Sequence, residues 1–274
     1  ACIPFGIFDA SIFKSIPIRI FGIMNNVTLL AVPLFIYMGT ILERSGIAAQ
    51  MLKNMAAAFK NVRGGLSISI IFVGALLAAS TGIVGATVVT MGLMSLPIMM
   101  QQGYRKDFAS GLVASTGTLG QIIPPSIALV LLGDVMSNAY QRAQNDMGIF
   151  SQKTVTVGDL FIGAIIPGAM ICLGYLLYTI YKNFENKNII SDKNTLSISR
   201  IEMMKTLGLP LSLIFIVLGS IIAGIATPTE ASALGAMGAL IISAINGKIN
   251  ADFIRETSQK TAIVSSMIFA ILIG

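Results

Sequence analysis

Residues 107–132, DFASGLVASTGTLGQIIPPSIALVLL, form an apolar stretch of membrane-crossing length, interrupted in the middle by Gly117, Gly120, Pro124 and Pro125. Within a bilayer every backbone N–H and C=O must be satisfied internally. Each proline removes a donor, and the residue before it is pushed away from helical geometry. The stretch therefore reads as a broken transmembrane helix. Unwound backbone at that depth persists only where it is buried in protein or lines a watery cavity. In solute carriers such breaks turn carbonyls toward cations and helix N-termini toward anions, so a solute carrier is the class this stretch suggests.

The rest of the chain agrees with a bilayer. It is 55% hydrophobic and 11% charged, with a mean hydropathy of +0.84, against roughly 25% charged residues in a soluble domain. Long apolar spans without strand-length alternation indicate an all-α, polytopic helical bundle rather than a β-barrel. The net charge of +6 reports membrane orientation rather than nucleic-acid binding. The chain has no histidine, which removes the zinc-hydrolase, haem-imidazole and Ser-His or Cys-His chemistries. No Asp/Glu or Ser/Lys pair falls at the midplane either, so an intramembrane enzyme is disfavoured, and no nucleotide-binding motif is visible. Cys2 and Cys172 read as inert thiols in apolar surroundings. The ends, Ala1 and Gly274 within an apolar run, read as those of a fragment of a longer permease, a single transmembrane domain over 1–274.

Along the chain, 27–42 reads as a crossing and 46–60 as an amphipathic helix at the interface. Residues 66–99 are interrupted near Ser80, Thr81, Gly82 and Gly85. The arm 66–79 reaches about 21 Å at 1.5 Å per residue, against an apolar core of about 30 Å, so neither arm spans alone. Arg63 precedes the segment and Arg105 and Lys106 follow it, placing both ends in the cytoplasm by the positive-inside rule. A re-entrant hairpin with its tip at 80–85 follows. Beyond the broken helix, 133–158 reads as an external polar loop and 159–181 as a returning span. Residues 182–205 read as a basic cytoplasmic loop, 207–226 and 231–245 as two crossings, 251–260 as a second interfacial amphipath, and Thr261 onward as the start of another span. The amphipaths at 46–60 and 251–260 hint at an inverted repeat, with 1–206 as the first unit and 207–274 opening the second.

Two stretches offer ligands. The hairpin tip carries the Ser80 and Thr81 hydroxyls beside Gly82. The broken helix carries Ser115, Thr116 and Thr118 with the carbonyls around Gly117, Gly120 and Gln121, then Pro124, Pro125 and Ser126. Hard cations such as sodium take neutral oxygens of this kind, which makes Ser80, Thr81, Ser115, Gly117 and Thr118 sodium candidates. The half-helix after Pro125 points its positive end toward the midplane, suited to a carboxylate. The competing explanation is that small residues merely permit close helix packing. Thr227-Pro228-Thr229-Glu230 reads as a structural capping box. Asp134 and Asp159 are expected to do similar work, while Arg105 and Lys106 are topology anchors.

These residues also carry a resemblance. LLAVPLFIYMGTILERSGIA (29–48), RGGLSISI (63–70), TGIVGATVVTMGLMSLPIM (81–99), GYRKDFASGLVASTGTLGQIIPPSI (103–127), VGDLFIGAIIPG (157–168) and GIATPTEASALGA (224–236) together resemble the large membrane subunit of the tripartite ATP-independent periplasmic (TRAP) transporters. The resemblance implies a sodium-driven elevator in the bacterial inner membrane that imports organic acids. It implies a small membrane subunit and a periplasmic substrate-binding protein as partners, with sodium as coupling ion and no other cofactor. Residues 80–86 and 115–126 would form the first half of the sodium and substrate site, and the second half would lie beyond Gly274. Many members have Gly-Ser where this chain has Gly82-Ile83, so one hydroxyl ligand is missing there. The TGIVGA version is similar to a subgroup whose substrates are 2-oxo or hydroxy monocarboxylates. A stand-alone sodium/dicarboxylate symporter of the same architecture is the alternative.

Overall fold

The structure, a computed structural model, describes residues 12–59, 62, 64–81, 84–149, 154–185 and 200–273. In chain order the helices are α1 (Ile12–Met24), α2 (Ala31–Arg44), α3 (Ile47–Ala58), α4 (Gly65–Thr81), α5 (Val84–Gln101), α6 (Lys106–Thr118), α7 (Ile127–Asp146), α8 (Val157–Glu185), α9 (Arg200–Ile222), α10 (Pro228–Ile245) and α11 (Ala251–Ile273). Single 3-10 turns, Val27–Leu30 and Leu119–Gln121, lead into α2 and out of α6. Among the described residues there is no strand. Among the described residues, three helical stretches, Val27–Arg44, Val157–Glu185 and Pro228–Ile245, are long and apolar enough to cross a membrane. The architecture is that of an all-α polytopic membrane protein.

At the centre lies α2, whose Ala31, Val32, Phe35, Ile36, Met38 and Ile41 are buried against α10, α11 and α4. Lipid tails are as apolar as leucine, so helices in a bilayer associate through close packing rather than hydrophobic expulsion. Glycines supply that closeness. A Cβ at Gly235 of α10 would lie 2.6 Å from Met38 Sδ, and one at Gly238 would lie 2.3 Å from Leu213 Cδ1 of α9. By contrast α8 presents Ile166, Met170, Leu173, Leu177 and Tyr178 outward, as a lipid-facing helix should. Its 29 residues extend about 44 Å, enough to span with overhang even with Pro167 inside.

The hairpin reverses direction as expected. A Cβ at Gly74 of α4 would lie 3.8 Å from Met91 Cε of α5, although the two residues sit on opposite sides of the 82–83 break. A single straight helix would hold them far apart. The arms are longer than the fourteen-residue estimate, 17 residues in α4 and 18 in α5.

Long-range polar contacts divide the bundle into two ends. At one, Asn26 Nδ2 donates to Asp134 Oδ1 at 2.8 Å and Thr229 Oγ1 to the Val27 carbonyl at 2.9 Å. At the other, Asn183 Nδ2 donates to Ser67 Oγ at 2.9 Å, and Arg44 pairs with Glu256. These are the groupings that the basic residues assign to the external and cytoplasmic sides.

Three sequence boundaries are corrected. The stretch 133–158 is not mainly loop, because α7 continues to Asp146. Its polar side chains support the helix from within, as when Asn138 Nδ2 donates to the Asp134 carbonyl at 2.9 Å. The basic loop 182–205 is narrower, since α8 runs to Glu185 and α9 starts at Arg200. Residues 186–199 lie outside the described residues. Finally, the interfacial helix at 251–260 and the span from Thr261 are one helix, α11. No glycine or proline divides them, and Thr261 Oγ1 bonds back to the Thr257 carbonyl at 2.9 Å. Asn54 of α3 is buried, because this helix, expected at the interface, packs on α4 and α9.

Candidate functional site

The broken helix is built against the hairpin in antiparallel register. A Cβ at Gly92 of α5 would meet Val113 Cγ1 at 3.8 Å, and one at Gly117 of α6 would meet Val88 Cγ2 at 2.3 Å. Four residues back along α5 correspond to four forward along α6. On its other side Thr116 is fully buried, with its Cβ 2.9 Å from where a Cβ at Gly74 of α4 would stand. Thr116 and Gly117 are therefore packing residues of the α4–α5–α6 contact.

The hydroxyls of α6 point their hydrogens at the helix itself. Ser115 Oγ donates to the Leu112 carbonyl at 3.0 Å, Thr116 Oγ1 to that of Leu112 at 2.8 Å, and Thr118 Oγ1 to that of Ser115 at 2.7 Å. A hydroxyl so engaged has only lone pairs left to offer. Ser115 is half-buried and Thr118 exposed, so both can present those lone pairs to a cation.

After Thr118 the chain tightens into the 3-10 turn. Ile122 and Ile123 N–H groups both donate to the Leu119 carbonyl, at 3.0 and 2.8 Å. Pro124 and Pro125, joined by a cis peptide bond, have no N–H with which to continue the ladder toward Gly120 and Gln121. The Gln121 carbonyl instead accepts from Ser126 Oγ at 2.9 Å. That bond occupies the Ser126 hydroxyl at the start of α7, where it makes no side-chain cap, so the first N–H groups of α7 lack one. The break is not open to lipid. It packs on α4, and α8 closes on it at Gly168, where a Cβ would lie 3.3 Å from Ile123 Cγ1.

Of the other candidates, the side chains of Ser80 and Thr81, and Gly82 altogether, lie outside the described residues. Thr227 and Glu230 form the expected capping box. Glu230 N donates to Thr227 Oγ1 at 3.3 Å, and Glu230 Oε2 accepts from Thr227 N at 2.8 Å, with Pro228 opening α10. Asp159 caps α8 in the same manner, accepting from Thr156 N at 2.9 Å. Asp134 does not behave this way. It lies inside α7 and ties that helix to Asn26. Arg105 is exposed and pairs with Asp107 at 2.6 Å.

Four polar residues escaped the sequence reading. Thr87 on α5 is buried, and one turn on Thr90 Oγ1 donates to Glu43 Oε1 at 2.7 Å. Lys260 Nζ meets the other oxygen of Glu43 at 2.8 Å. The available signal was the rarity of ionisable residues within or beside apolar spans, where each is a functional candidate by default.

A helical hairpin packed on a broken helix, within a polytopic bundle, marks an integral membrane protein. Over residues 5–274 the chain matches the family described as tripartite ATP-independent periplasmic transporter, DctM component, and it belongs to that family. It is 32% identical over 229 residues, 84% of this chain, to the C4-dicarboxylate TRAP transporter large permease of Rhodobacter capsulatus, covering 51% of that protein. Against its Vibrio cholerae counterpart the identity is 32% over 93% of this chain and 52% of the relative. The sialic acid TRAP transporter large permease of Vibrio cholerae is 26% identical over 93% of this chain and 57% of its own length. The chain thus spans about half the length of the curated relatives it matches.

Proposed function

We propose that this chain supplies the first half of the sodium and substrate site of a secondary transporter that imports organic acids across a bacterial inner membrane, working with a small membrane subunit and a periplasmic substrate-binding protein. The observation that carries this reading is the α6–α7 break. Its Ser115 and Thr118 hydroxyls keep only lone pairs for a ligand, and the Gly120 carbonyl lies where Pro124 cannot bond it. That is an oxygen set for a hard cation without a carboxylate. The start of α7 adds unengaged N–H groups and a positive dipole end, which suit the substrate carboxylate. Cation and anion would then bind on adjacent sides of one turn, each lowering the electrostatic cost of the other.

The rest of the site would come from the half of the permease outside this chain, so residues 1–274 alone are not expected to transport. Relatives named for C4-dicarboxylates support a four-carbon diacid over the monocarboxylate suggested by TGIVGA. Labelled dicarboxylate uptake into proteoliposomes tests the reading. They would hold the complete large and small subunits, with and without an inward sodium gradient and the cognate binding protein. Uptake that requires both supports it. Uptake indifferent to sodium removes the cation role of the break, and uptake indifferent to the binding protein favours a stand-alone symporter.

A further inference from the structure

At the cytoplasmic end of the bundle a cavity of about 430 Å³ opens between the start of α6 and the end of α8, lined by Tyr104, Arg105, Asp107, Phe108, Tyr178, Lys182, Asn183 and Glu185. Its rim is doubly zwitterionic. Arg105 pairs with Asp107 at 2.6 Å, and Lys182 with Glu185 at 2.6 Å. All four side chains remain more than a third exposed. Both cations and both carboxylates therefore keep hydrogen-bonding capacity facing out of their pair.

Asn183 is 2% exposed. Ser67 Oγ gives its hydrogen to the Gly64 carbonyl at 2.7 Å, so the Asn183 amide must act as donor toward it, at 2.9 Å. That orientation leaves Asn183 Oδ1 buried with no hydrogen-bond partner, a fixed partial negative charge on a residue that lines the same cavity as the two carboxylates. Thr179 Oγ1, one turn earlier, is likewise buried and unpartnered. Along one wall Tyr104, Phe108 and Tyr178 form an aromatic run with centroid spacings of 6.1 and 6.4 Å. On the same stretch of α8, Tyr178, Tyr181 and Phe184 are all exposed. Aromatic side chains outward at a helix end, next to basic residues, mark the headgroup level of a bilayer.

We infer that this cavity is a phospholipid headgroup site, selective for a zwitterionic headgroup that carries a primary ammonium: phosphatidylethanolamine. Arg105 and Lys182 take the phosphate through charge-assisted bonds. Asp107 and Glu185 take the ammonium on the lone pairs that their exposed carboxylates keep outside the ion pairs with Arg105 and Lys182. The aromatic wall covers the glycerol and upper acyl chain. A purely anionic headgroup meets two carboxylates, and a choline headgroup has no N–H to donate. This site is separate from the α6–α7 break and does not depend on how that break is read.

The test is native mass spectrometry of the purified full-length permease with added phosphatidylethanolamine, phosphatidylglycerol or phosphatidylcholine. Ethanolamine lipid should be retained roughly fivefold more strongly than either other lipid, the size that two exposed ion-pair contacts support. The Asp107→Asn/Glu185→Gln variant should bring the three lipids level, and Arg105→Gln/Lys182→Gln should weaken phosphatidylethanolamine and phosphatidylglycerol together. All four residues are at the surface, so both variants should fold, and the two read opposite ends of the headgroup. Equal retention of the three lipids by the unaltered protein would overturn the assignment. So would an ethanolamine preference that survives both variants. Displacement of the lipid by soluble glycerophosphoethanolamine at the same concentration would also overturn it, because the site would then read a free metabolite rather than a bilayer.

Discussion

Thr90 of α5 gives its hydroxyl to Glu43 of α2 at 2.7 Å, while the other oxygen of the same carboxylate holds Lys260 of α11 at 2.8 Å. One half-buried glutamate thus joins the second arm of the hairpin to two helices of the central layer. Thr40 and Thr261 extend the contact between α2 and α11 with hydroxyl oxygens 3.2 Å apart, and Arg44 and Glu256 close it below.

Removing one partner of this node should cost more than removing both. Lys260→Met leaves the Glu43 carboxylate, 14% exposed, without its counter-charge. The expected loss is about 1–2 kcal/mol, between the values typical of exposed and buried pairs. Glu43→Gln combined with Lys260→Met removes the uncompensated charge and should recover part of that loss. Thermal unfolding of the full-length permease in detergent provides the comparison. A double variant no more stable than Lys260→Met alone would show that the pair is not coupled in this sense.

Two glycines of α6 should respond oppositely to the same change. A Cβ at Gly117 would stand 2.3 Å from Val88 Cγ2 and 3.2 Å from the Val88 backbone, whereas one at Gly111 would meet nothing within 4 Å. Gly117→Ala should destabilise by about 1–3 kcal/mol through overpacking, with partial rescue by Val88→Ala, since the closest atom belongs to that side chain. Gly111→Ala should be neutral or stabilising by up to about 1 kcal/mol, the helix-propensity difference. A melting temperature unchanged by Gly117→Ala would mean that the α5–α6 contact is looser than the structure has it.

The contrast between these glycines shows where sequence reading stops. The break was legible because Pro124 and Pro125 forbid a helix whatever surrounds them, and the α10 cap because Thr227, Pro228 and Glu230 act within one turn. Asp159 was legible for the same local reason. Thr116 and Gly117 read as ligands with helix packing as the competing explanation, and their packing against Gly74 and Val88 was not legible because those partners lie on other helices. Asp134 was misassigned because its partner, Asn26, is 108 residues away. The node around Glu43 was invisible for the same reason, its partner Lys260 being 217 residues distant. The end of α7 was misplaced because polar composition was read as loop, although a helix that projects past the bilayer has no need of apolar side chains.

The capping box supplies a control for function. Thr227→Ala removes both the acceptor for Glu230 N and the hydroxyl that Glu230 Oε2 accepts. It should cost about 1 kcal/mol, the usual value for an N-cap, and lower the thermal midpoint modestly. Uptake per folded transporter should stay at the unaltered level, because the cap lies at the external end of α10 rather than at the break. A selective fall in sodium or substrate affinity, with stability intact, would move Glu230 from structural to transport duty.

Thr116 and Thr118 lie two residues apart and should separate packing from ligation. The Thr118 hydroxyl is exposed with its lone pairs free, while that of Thr116 is enclosed against Gly74. Replacing either by valine preserves β-branching and removes the oxygen. Thr118→Val deletes one ligand of the proposed cation and should raise the sodium concentration for half-maximal uptake about tenfold, as loss of a contact to a charged group worth about 1.4 kcal/mol would. Thr116→Val keeps the bulk that fills the α4–α6 contact and loses only a hydroxyl bonded to its own helix. It should leave sodium dependence unchanged and shift stability by less than about 1 kcal/mol. Sodium titrations of uptake by the full-length permease, in the presence of its small subunit and binding protein, read both variants side by side. Equal shifts would point to a site that includes the inner face of α6, and no shift in Thr118→Val would move the cation away from this turn.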